Sequence, residues 1–375
     1  MSANGRLAGA QAAVKRAHCL KSVLILGTGL IGTSVGLALR ARGISVLLAD
    51  RDLGAARLAR EMGAGQEWNP GEPVDLAVVA VPPDHVASEL RGLQQRGAAR
   101  YYTDVASVKA KPLAKAVELG CDLRTYVPSH PMAGREKAGP GAARSDLFLG
   151  RPWALCPTEE ARPEARQAVL DLIDLCGANP VEVTAEGHDR AVAVVSHAPH
   201  VAASAVAARL ADATDVALGL AGQGVRDVTR IAGGDPGLWL GILAGNAAPV
   251  AEVLEAVSRD LAGAAAALRA LEEGDASAGP DISQLLRQGV AGHRRIPGKH
   301  GGPAAAYGVV QVVIGDRPGQ LARLFQVCDE VGVNVEDVRL EHAPGLPLGL
   351  AELSIEPGAV PTLTKALHDR GWQVP

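Results

Sequence analysis

The sequence predicts an α/β protein in three parts: a doubly wound parallel sheet, an all-helical region, and a small β-α-β-β-α-β module of ferredoxin-like topology. Three observations predict it. Apolar strand-like runs alternate with helical stretches from Lys21 to about residue 184. From 185 to 273, Ala- and Leu-rich stretches recur without strong strand signals. From 304 to 375 the chain reads strand, helix, strand, strand, helix and a short last strand. The expected boundaries are therefore 21–184, 185–273, a Gly- and Pro-rich linker at 274–303 with one short helix at "ISQLLRQG", and 304–375.

The first part opens with "KSVLILGTGLIGTSVGLALRARGISVLLADRD". Ser22 to Leu26 is a continuous apolar run, which suits a strand buried on both faces. Gly27-Thr28-Gly29-Leu30-Ile31-Gly32 then opens a helix to about Arg42, and a second strand, Ser45 to Ala49, ends at Asp50. This is a Rossmann-type dinucleotide fingerprint. Gly27 makes the tight turn, Gly29 lets the backbone approach a pyrophosphate, and Gly32 lets helix and strand pack closely. The phosphates face free N–H groups at the helix start. Asp50, 18 residues past Gly32, is placed to accept hydrogen bonds from ribose hydroxyls. Its charge favours NAD over NADP, a preference that Arg51 weakens.

Further strand-like runs follow at 74–83, 99–107, 123–130 and 152–157. In such sheets ligands bind beyond the carboxyl ends of the strands. The residues that fall there include Val81, Pro82, Ser107, Lys109, Ser129 and His130. His130 begins "SHPMAGREKAGPGAARSDLF", a segment whose Pro and Gly content predicts a sharply bending loop rather than a continuous element.

The helical region is rich in small residues that allow close helix contacts, and its apolar faces are expected to meet a second subunit in a two-fold dimer. Pro199 marks a helix start that aims His200 into a pocket. His197 and His200 stand at helical spacing, but with no HExxH and no nearby Cys or Asp to complete a site they are not read as metal ligands. In the terminal module, Asp316 and Gly319 lie in the turn from first strand to first helix, and Asn334 in the turn into the second strand. The two turns are expected together at one edge, as a possible effector site.

The bulk numbers narrow the function classes. Of 375 residues, 47% are hydrophobic but only 3% aromatic, so the cores must be aliphatic. The net charge of -4 argues against nucleic acid or an anionic membrane as a partner. Residues 304–375 hold 5 basic and 9 acidic residues, so that module carries the whole imbalance. Five scattered cysteines without CxxC read as reduced thiols of a cytoplasmic protein. Neither a signal-peptide core nor a run of roughly 18 apolar residues is expected.

The motifs "GTGLIGTSVGLALR", "TDVASVKA", "SHPMAGREKAGPGAARSDLFLGRPW", "VSHAPHVAA", "RDVTRIAGGDPGLW" and "DRPGQLARLFQVCDEVGVNVEDV" resemble, in order, the prephenate dehydrogenase family with a C-terminal ACT domain. The resemblance covers nearly the whole chain from Lys21. It implies NAD(P)+-dependent oxidative decarboxylation of prephenate to 4-hydroxyphenylpyruvate, or of arogenate to tyrosine. It implies that His130 hydrogen-bonds the ring C4 hydroxyl and, with a pKa near neutrality, takes its proton as hydride leaves. By the same resemblance Ser107 lies near that hydroxyl and the nicotinamide, and Arg230 grips a substrate carboxylate. Ser196 and His200 line the pocket, Asp227 orients an arginine across the subunit interface, and Trp239 forms a wall. Arg135 replaces a Thr or Ser of many relatives and Arg226 replaces a Lys. Both lie where the substrate side chain is expected, so the choice between prephenate and arogenate stays open. The ACT resemblance implies an amino-acid effector, tyrosine or phenylalanine. Two rivals are a Rossmann reductase acting on an imine or 3-hydroxy acid, and an amino-acid sensor without activity.

Overall fold

A computed structural model describes residues 18–71, 73–134, 139–297, 307–342 and 347–375. The chain forms two units, residues 1–256 and 257–375.

In the first unit, β1 (Ser22–Leu26), β2 (Ser45–Ala49), β3 (Gln66–Glu67), β4 (Val74–Val79) and β5 (Ala99–Asp104) form one parallel sheet. Its order is β3-β2-β1-β4-β5. Val23 of β1 pairs with Val46 on one side and Leu76 on the other. Strands β1 and β4 are apolar without interruption at their centres because both faces are covered. One aliphatic core holds Val23, Ile25, Leu76 and Val78 against the helix Leu30–Ala41, and the other holds Leu24, Ala77 and Val79 against Val86–Gln95.

A second sheet is made of β6 (Ser129–Pro131), β7 (Pro152–Leu155) and β8 (Asn179–Glu182). Val127 N–H donates to the Tyr102 carbonyl and so ties this sheet to β5. Three expectations are corrected here. The β6–β7 pair is antiparallel, so the doubly wound part is only mostly parallel. The run expected as a strand over 123–130 instead makes a 3-10 turn at Leu123–Thr125, because the Asp122 carboxylate caps the Arg124 N–H. His130, expected in a loop, is the central residue of β6, paired with Ala154. The exposed β8 has no apolar alternation to reveal it.

The helical region begins with a continuous stretch, Ala185–Ala208, with a mean hydropathy of 1.4 in its most apolar window. By length and composition alone it reaches the span that the sequence reading did not find. However, its buried side carries His188, Asp189, His197 and His200. Its middle turn, Ala193–His197, is a π-helix, and Pro199, expected to open a helix, instead stands where α-geometry resumes in Ala198–Ala208. Shorter helices follow at Gln223–Thr229 and Pro236–Gly245, and a long one at Ala247–Glu272. Val195, Val216, Leu220 and Leu240 of this region are exposed, Leu220 by 82%.

In the second unit, the segment expected as a linker carries a 15-residue helix, Gly279–His293, longer than "ISQLLRQG" suggested. The terminal module has β9 (Gly308–Gly315), a helix Gln320–Glu330, β10 (Val335–His342), β11 (Leu348–Ile355) and a helix Val360–Asp369. The antiparallel sheet runs β10-β11-β9, and a single bridge from Gln373 to Val313 stands where a last strand was expected. Val312, Leu324, Leu353 and Leu363 fill its core.

The paired register places the two turns of the proposed effector site apart. Gly315 pairs with Leu348 at one end of the sheet, whereas Val335 pairs with Ile355 and Ile355 with Gly308 at the other. β9 has eight residues, which at about 3.3 Å per residue puts roughly 20 Å between the ends. The intervening helix runs back along the sheet, so its two end turns cannot share an edge.

Candidate active site

The glycine turn follows β1 at the carboxyl edge of the parallel sheet. Gly27 has φ +102°, and a Cβ there would lie 2.3 Å from the Ala80 carbonyl oxygen. A Cβ at Gly32 would lie 2.0 Å from the Gly27 carbonyl oxygen. Both positions therefore require glycine. Gly29 differs, because a Cβ there would meet nothing within 4 Å. That open side faces away from the protein's own packing, as a backbone that a pyrophosphate must approach would. Gly29 is the N-cap of the helix Leu30–Ala41 and brings no side-chain cap, and the first turn has no acid. The N–H groups of Leu30, Ile31 and Gly32 are thus available to an anion.

Asp50 closes β2 beside this turn. Its Oδ2 accepts from Thr28 N at 2.5 Å and Thr28 Oγ1 at 2.9 Å, and its Oδ1 accepts from Asp52 N at 2.8 Å. The carboxylate therefore holds the glycine turn as well as facing solvent, and a carboxylate's four lone-pair directions leave one for a ribose hydroxyl. Arg51 is exposed next to it. Val81 and Pro82 follow β4 on the other side of the turn, with Val81 3.3 Å from the Gly27 Cβ position.

Beyond β5 lies a buried polar layer. Lys109 is fully buried and pairs with Asp104, while its Nζ also donates to the Ser129 carbonyl at 2.7 Å. Tyr126 donates to the other Asp104 oxygen at 2.6 Å. Burial first, then the Asp104 charge, pushes the Tyr126 phenol well above its ordinary range, so it stays a donor. Ser129 Oγ donates to the Asp104 carbonyl at 2.8 Å and accepts from Trp153 Nε1 at 3.0 Å. These bonds fix the backbone on which His130 stands. Ser107, partly exposed, sits two residues before Lys109.

His130 Nδ1 lies 2.9 Å from His188 Nε2, and His188 Nδ1 lies 2.8 Å from Asp189 Oδ1. Asp189 also accepts from Lys109 N at 2.8 Å and Ala110 N at 2.9 Å. Burial works against its charge, but the His188 and backbone hydrogen bonds hold its pKa below the usual carboxylate value. Burial, and then the proximity of His188, Lys109 and His197, holds the His130 imidazole well below its ordinary pKa. This corrects the expectation of a value near neutrality. His130 is neutral at pH 7 and can accept a proton there.

The helical region supplies a second wall. His200 stacks on Trp239 with ring centroids 3.6 Å apart. Gly234 permits that stack, since a Cβ there would lie 2.4 Å from Trp239 Nε1. Burial lowers the His200 pKa. His197 is edge-on to the same indole and lies 3.2 Å from Asn246 Nδ2, which also donates to the Asp189 carbonyl at 2.7 Å. Ser196 stands in the π-helical turn beside His197, a departure from α-helix often found at functional sites.

Arg230 heads the 3-10 turn Arg230–Gly233, which packs against the helix Ala198–Ala208. Arg226, Asp227 and Arg230 are exposed, and Asp227 accepts from Gln223 at 2.8 Å. Arg135 lies outside the described residues. In the terminal module one cleft is lined by Asp316, Gly319, Leu340 and Gly349, and Asn334 instead donates to Glu336 at the opposite end.

The sequence reading missed the connected set His188, Asp189 and Asn246, and gave Lys109 no role. A signal was present: His188-Asp189 is an adjacent acid–imidazole pair eight residues before Ser196.

The family described as prephenate dehydrogenase, nucleotide-binding domain, matches residues 35–182, and its dimerization domain matches 184–286. The probable prephenate dehydrogenase NovF of Streptomyces niveus is 43% identical over 358 residues, 94% of this chain and 99% of that protein. Synechocystis arogenate dehydrogenase is similar in structure, with a TM-score of 0.59 and 26% identity over 72% of this chain and 98% of that one. The fold of prephenate dehydrogenase from A. aeolicus, solved in complex with hydroxyphenyl propionate and NAD+, matches with a TM-score of 0.64. That likeness covers 75% of this chain and all of that one at 24% identity.

Proposed function

The chain belongs to the prephenate dehydrogenase family, and from that premise we propose that it oxidises prephenate with NAD+ to 4-hydroxyphenylpyruvate and carbon dioxide, a step towards tyrosine. The observation that carries this reading is the position of His130 on β6, joined through Ser129, Lys109 and Asp104 to the carboxyl edge of the sheet that bears the glycine turn. NAD+ bound at that turn supplies the acceptor for the hydride that leaves ring C4. His130 accepts the C4 hydroxyl proton as that carbon becomes carbonyl-like. The bond to the ring carboxylate breaks, its electron pair enters the ring, and aromatisation drives the loss of carbon dioxide. Ser107 steadies the hydroxyl, and Arg230 grips a substrate carboxylate. Ser196, His200 and Trp239 line the pocket, with Arg226 towards the substrate side chain.

Prephenate is the substrate rather than arogenate, because Arg135 suits the carboxylate both compounds share and opposes the ammonium that only arogenate carries. Comparing kcat/KM for the two compounds tests this, and a strong arogenate preference would reverse it. The exposed Val195, Val216, Leu220 and Leu240 support a homodimer built on the helical region, with Asp227 at its interface. Light scattering that shows a monomer at micromolar concentration would refute the dimer. Buried polar groups along Ala185–Ala208 suit a protein interior, and the scattered cysteines without CxxC support reading the enzyme as cytoplasmic.

The terminal module is read as an ACT domain, on its strand order and on the cleft beside Asp316 and Gly319. Gly319, at φ +85°, starts the helix Gln320–Glu330 there. Tyrosine is the expected effector and phenylalanine the second candidate. Inhibition by tyrosine that is non-competitive with prephenate and lost in Asp316→Ala supports the role. Purely competitive inhibition, unchanged in that variant, opposes it.

A further inference from the structure

We infer that His188 and Asp189 are positioning residues that set the proton-bearing nitrogen of His130, leaving its Nε2 lone pair free to act as the base. The inference rests on the proposed prephenate chemistry for its kinetic consequence, but not for its structural content.

An ionised carboxylate only accepts hydrogen bonds. Asp189 is held in that state and place by the N–H groups of Lys109 and Ala110, at 2.8 and 2.9 Å. The His188 nitrogen facing it at 2.8 Å, Nδ1, must therefore carry the hydrogen. A neutral imidazole has one N–H and one lone pair, so His188 Nε2 is an acceptor. His130 Nδ1, 2.9 Å from that acceptor, must then be the donor. The lone pair of His130 is left on Nε2, the nitrogen away from His188. Two contacts, one buried and one partly buried, thus pass the fixed polarity of a carboxylate through one imidazole into another.

The rest of the cluster keeps the relay in register. His188 and Asp189 are almost wholly buried on the helix Ala185–Val192. Asn246 donates to the Asp189 carbonyl at 2.7 Å and so pins this helix from the side. When His130 Nε2 takes the substrate hydroxyl proton, the ring becomes a cation with both nitrogens protonated. Its Nδ1–H remains bonded to His188 Nε2, and the Asp189 carboxylate at the far end opposes the new charge. No proton has to leave Asp189 or His188 in that step. The same logic, a carboxylate fixing a histidine tautomer, holds in catalytic triads, although there it acts through a single imidazole.

The test has two arms, both on the full chain. Imidazole nitrogen NMR of the 15N-histidine-labelled wild type should show His130 and His188 each protonated at Nδ1 and bare at Nε2 at pH 7. In Asp189→Asn the amide oxygen can still accept from Lys109 N and His188 Nδ1 at the Oδ1 position, so both rings should keep their tautomers, whereas in Asp189→Leu, which removes that acceptor, the preference should be lost. A wild-type His130 protonated at Nε2 would overturn the inference whether or not the enzyme turns over prephenate. In the kinetic arm, His188→Leu removes the acceptor and should lower kcat roughly 10²-fold, the lower end of what a general base contributes, with KM within about threefold. His188→Gln can offer an amide oxygen to His130 Nδ1–H and should recover kcat to within about tenfold of wild type. A His188→Leu enzyme with kcat within about twofold of wild type would reduce the contact to packing. Failure of the wild type to oxidise prephenate would sink the functional reading alone, and the NMR arm would still decide the relay.

Discussion

Gly29→Ala and Gly32→Ala separate a glycine needed by the fold from one needed by the cofactor. At Gly32 the new Cβ would lie 2.0 Å from the Gly27 carbonyl oxygen and 3.1 Å from the Ala80 Cβ. Oxygen and carbon normally rest more than 3 Å apart, so the turn must move by about 1 Å. Overpacking of this kind costs roughly 1–3 kcal/mol. At Gly29 no atom lies within 4 Å, and its φ of -68° suits alanine. Alanine is a poorer N-cap than glycine but restricts the unfolded chain, so the two effects nearly cancel and stability should stay within about 1 kcal/mol. The open side is nevertheless where the pyrophosphate must come close. Gly29→Ala should weaken NAD+ binding at least about tenfold, or roughly 1.4 kcal/mol. Urea unfolding without nucleotide and calorimetric titration with NAD+ measure the two quantities separately. A Gly29→Ala protein that binds NAD+ within twofold of wild type would refute the placement of the pyrophosphate.

His130→Asn keeps a hydrogen-bonding side chain but cannot take the proton, so kcat should fall roughly 10²–10⁴-fold with modest change in KM. Arg230→Gln should chiefly raise KM, and steady-state kinetics reads both variants. Asp50→Ala should raise NADP+ use, helped by Arg51. Because Asp50 also holds Thr28, it should weaken NAD+ binding too, and a wild type that already prefers NADP+ would remove Asp50 as the selector. Burial pushes the His197 pKa down to about 4, with Asp189 opposing the shift and His188 reinforcing it. The unfolded chain, at about 6.5, then binds the proton more tightly than the folded one. Stability should be full above pH 6.5 and fall as the pH drops towards 4, by up to about 3 kcal/mol from this residue, with His130 adding loss of the same sign. Urea unfolding at pH 7 and pH 5 should show a smaller difference in His197→Asn than in wild type.

The fold was legible where one physical cause dominated the local sequence. Buried parallel strands leave apolar runs, so β1, β2, β4, β5 and β7 stand where the sequence put them. β8 escaped because its four residues are exposed and lack alternation. β6 was placed too early, in a run over 123–130, because His130-Pro131 reads as a bend, and its strand geometry comes from pairing with Trp153–Leu155. The helix Gly279–His293 was underestimated because the glycines and prolines of 274–303 suggested a tether, whereas the helix holds one proline, Pro280, in its first turn.

In the candidate site, the glycine turn and Asp50 were legible because spacing alone implies their geometry. The relay was not, because His130 and His188 lie 58 residues apart and only the fold brings them into contact. The effector turns were misplaced for a different reason: a helix that returns along the sheet between two strands puts its two end turns at opposite ends, which the strand-helix-strand order already implied.

Coupling of hydride transfer to decarboxylation of prephenate is what sets this chain's proposed reaction apart from a simple alcohol oxidation. The direct measurement follows absorbance at 340 nm with purified protein, prephenate and NAD+, and quantifies 4-hydroxyphenylpyruvate in the same sample. The account predicts NADH and 4-hydroxyphenylpyruvate in equal amounts with the wild type, and at least about 10² times more slowly with His130→Asn. A wild type that binds NAD+ but forms no NADH from prephenate would contradict it.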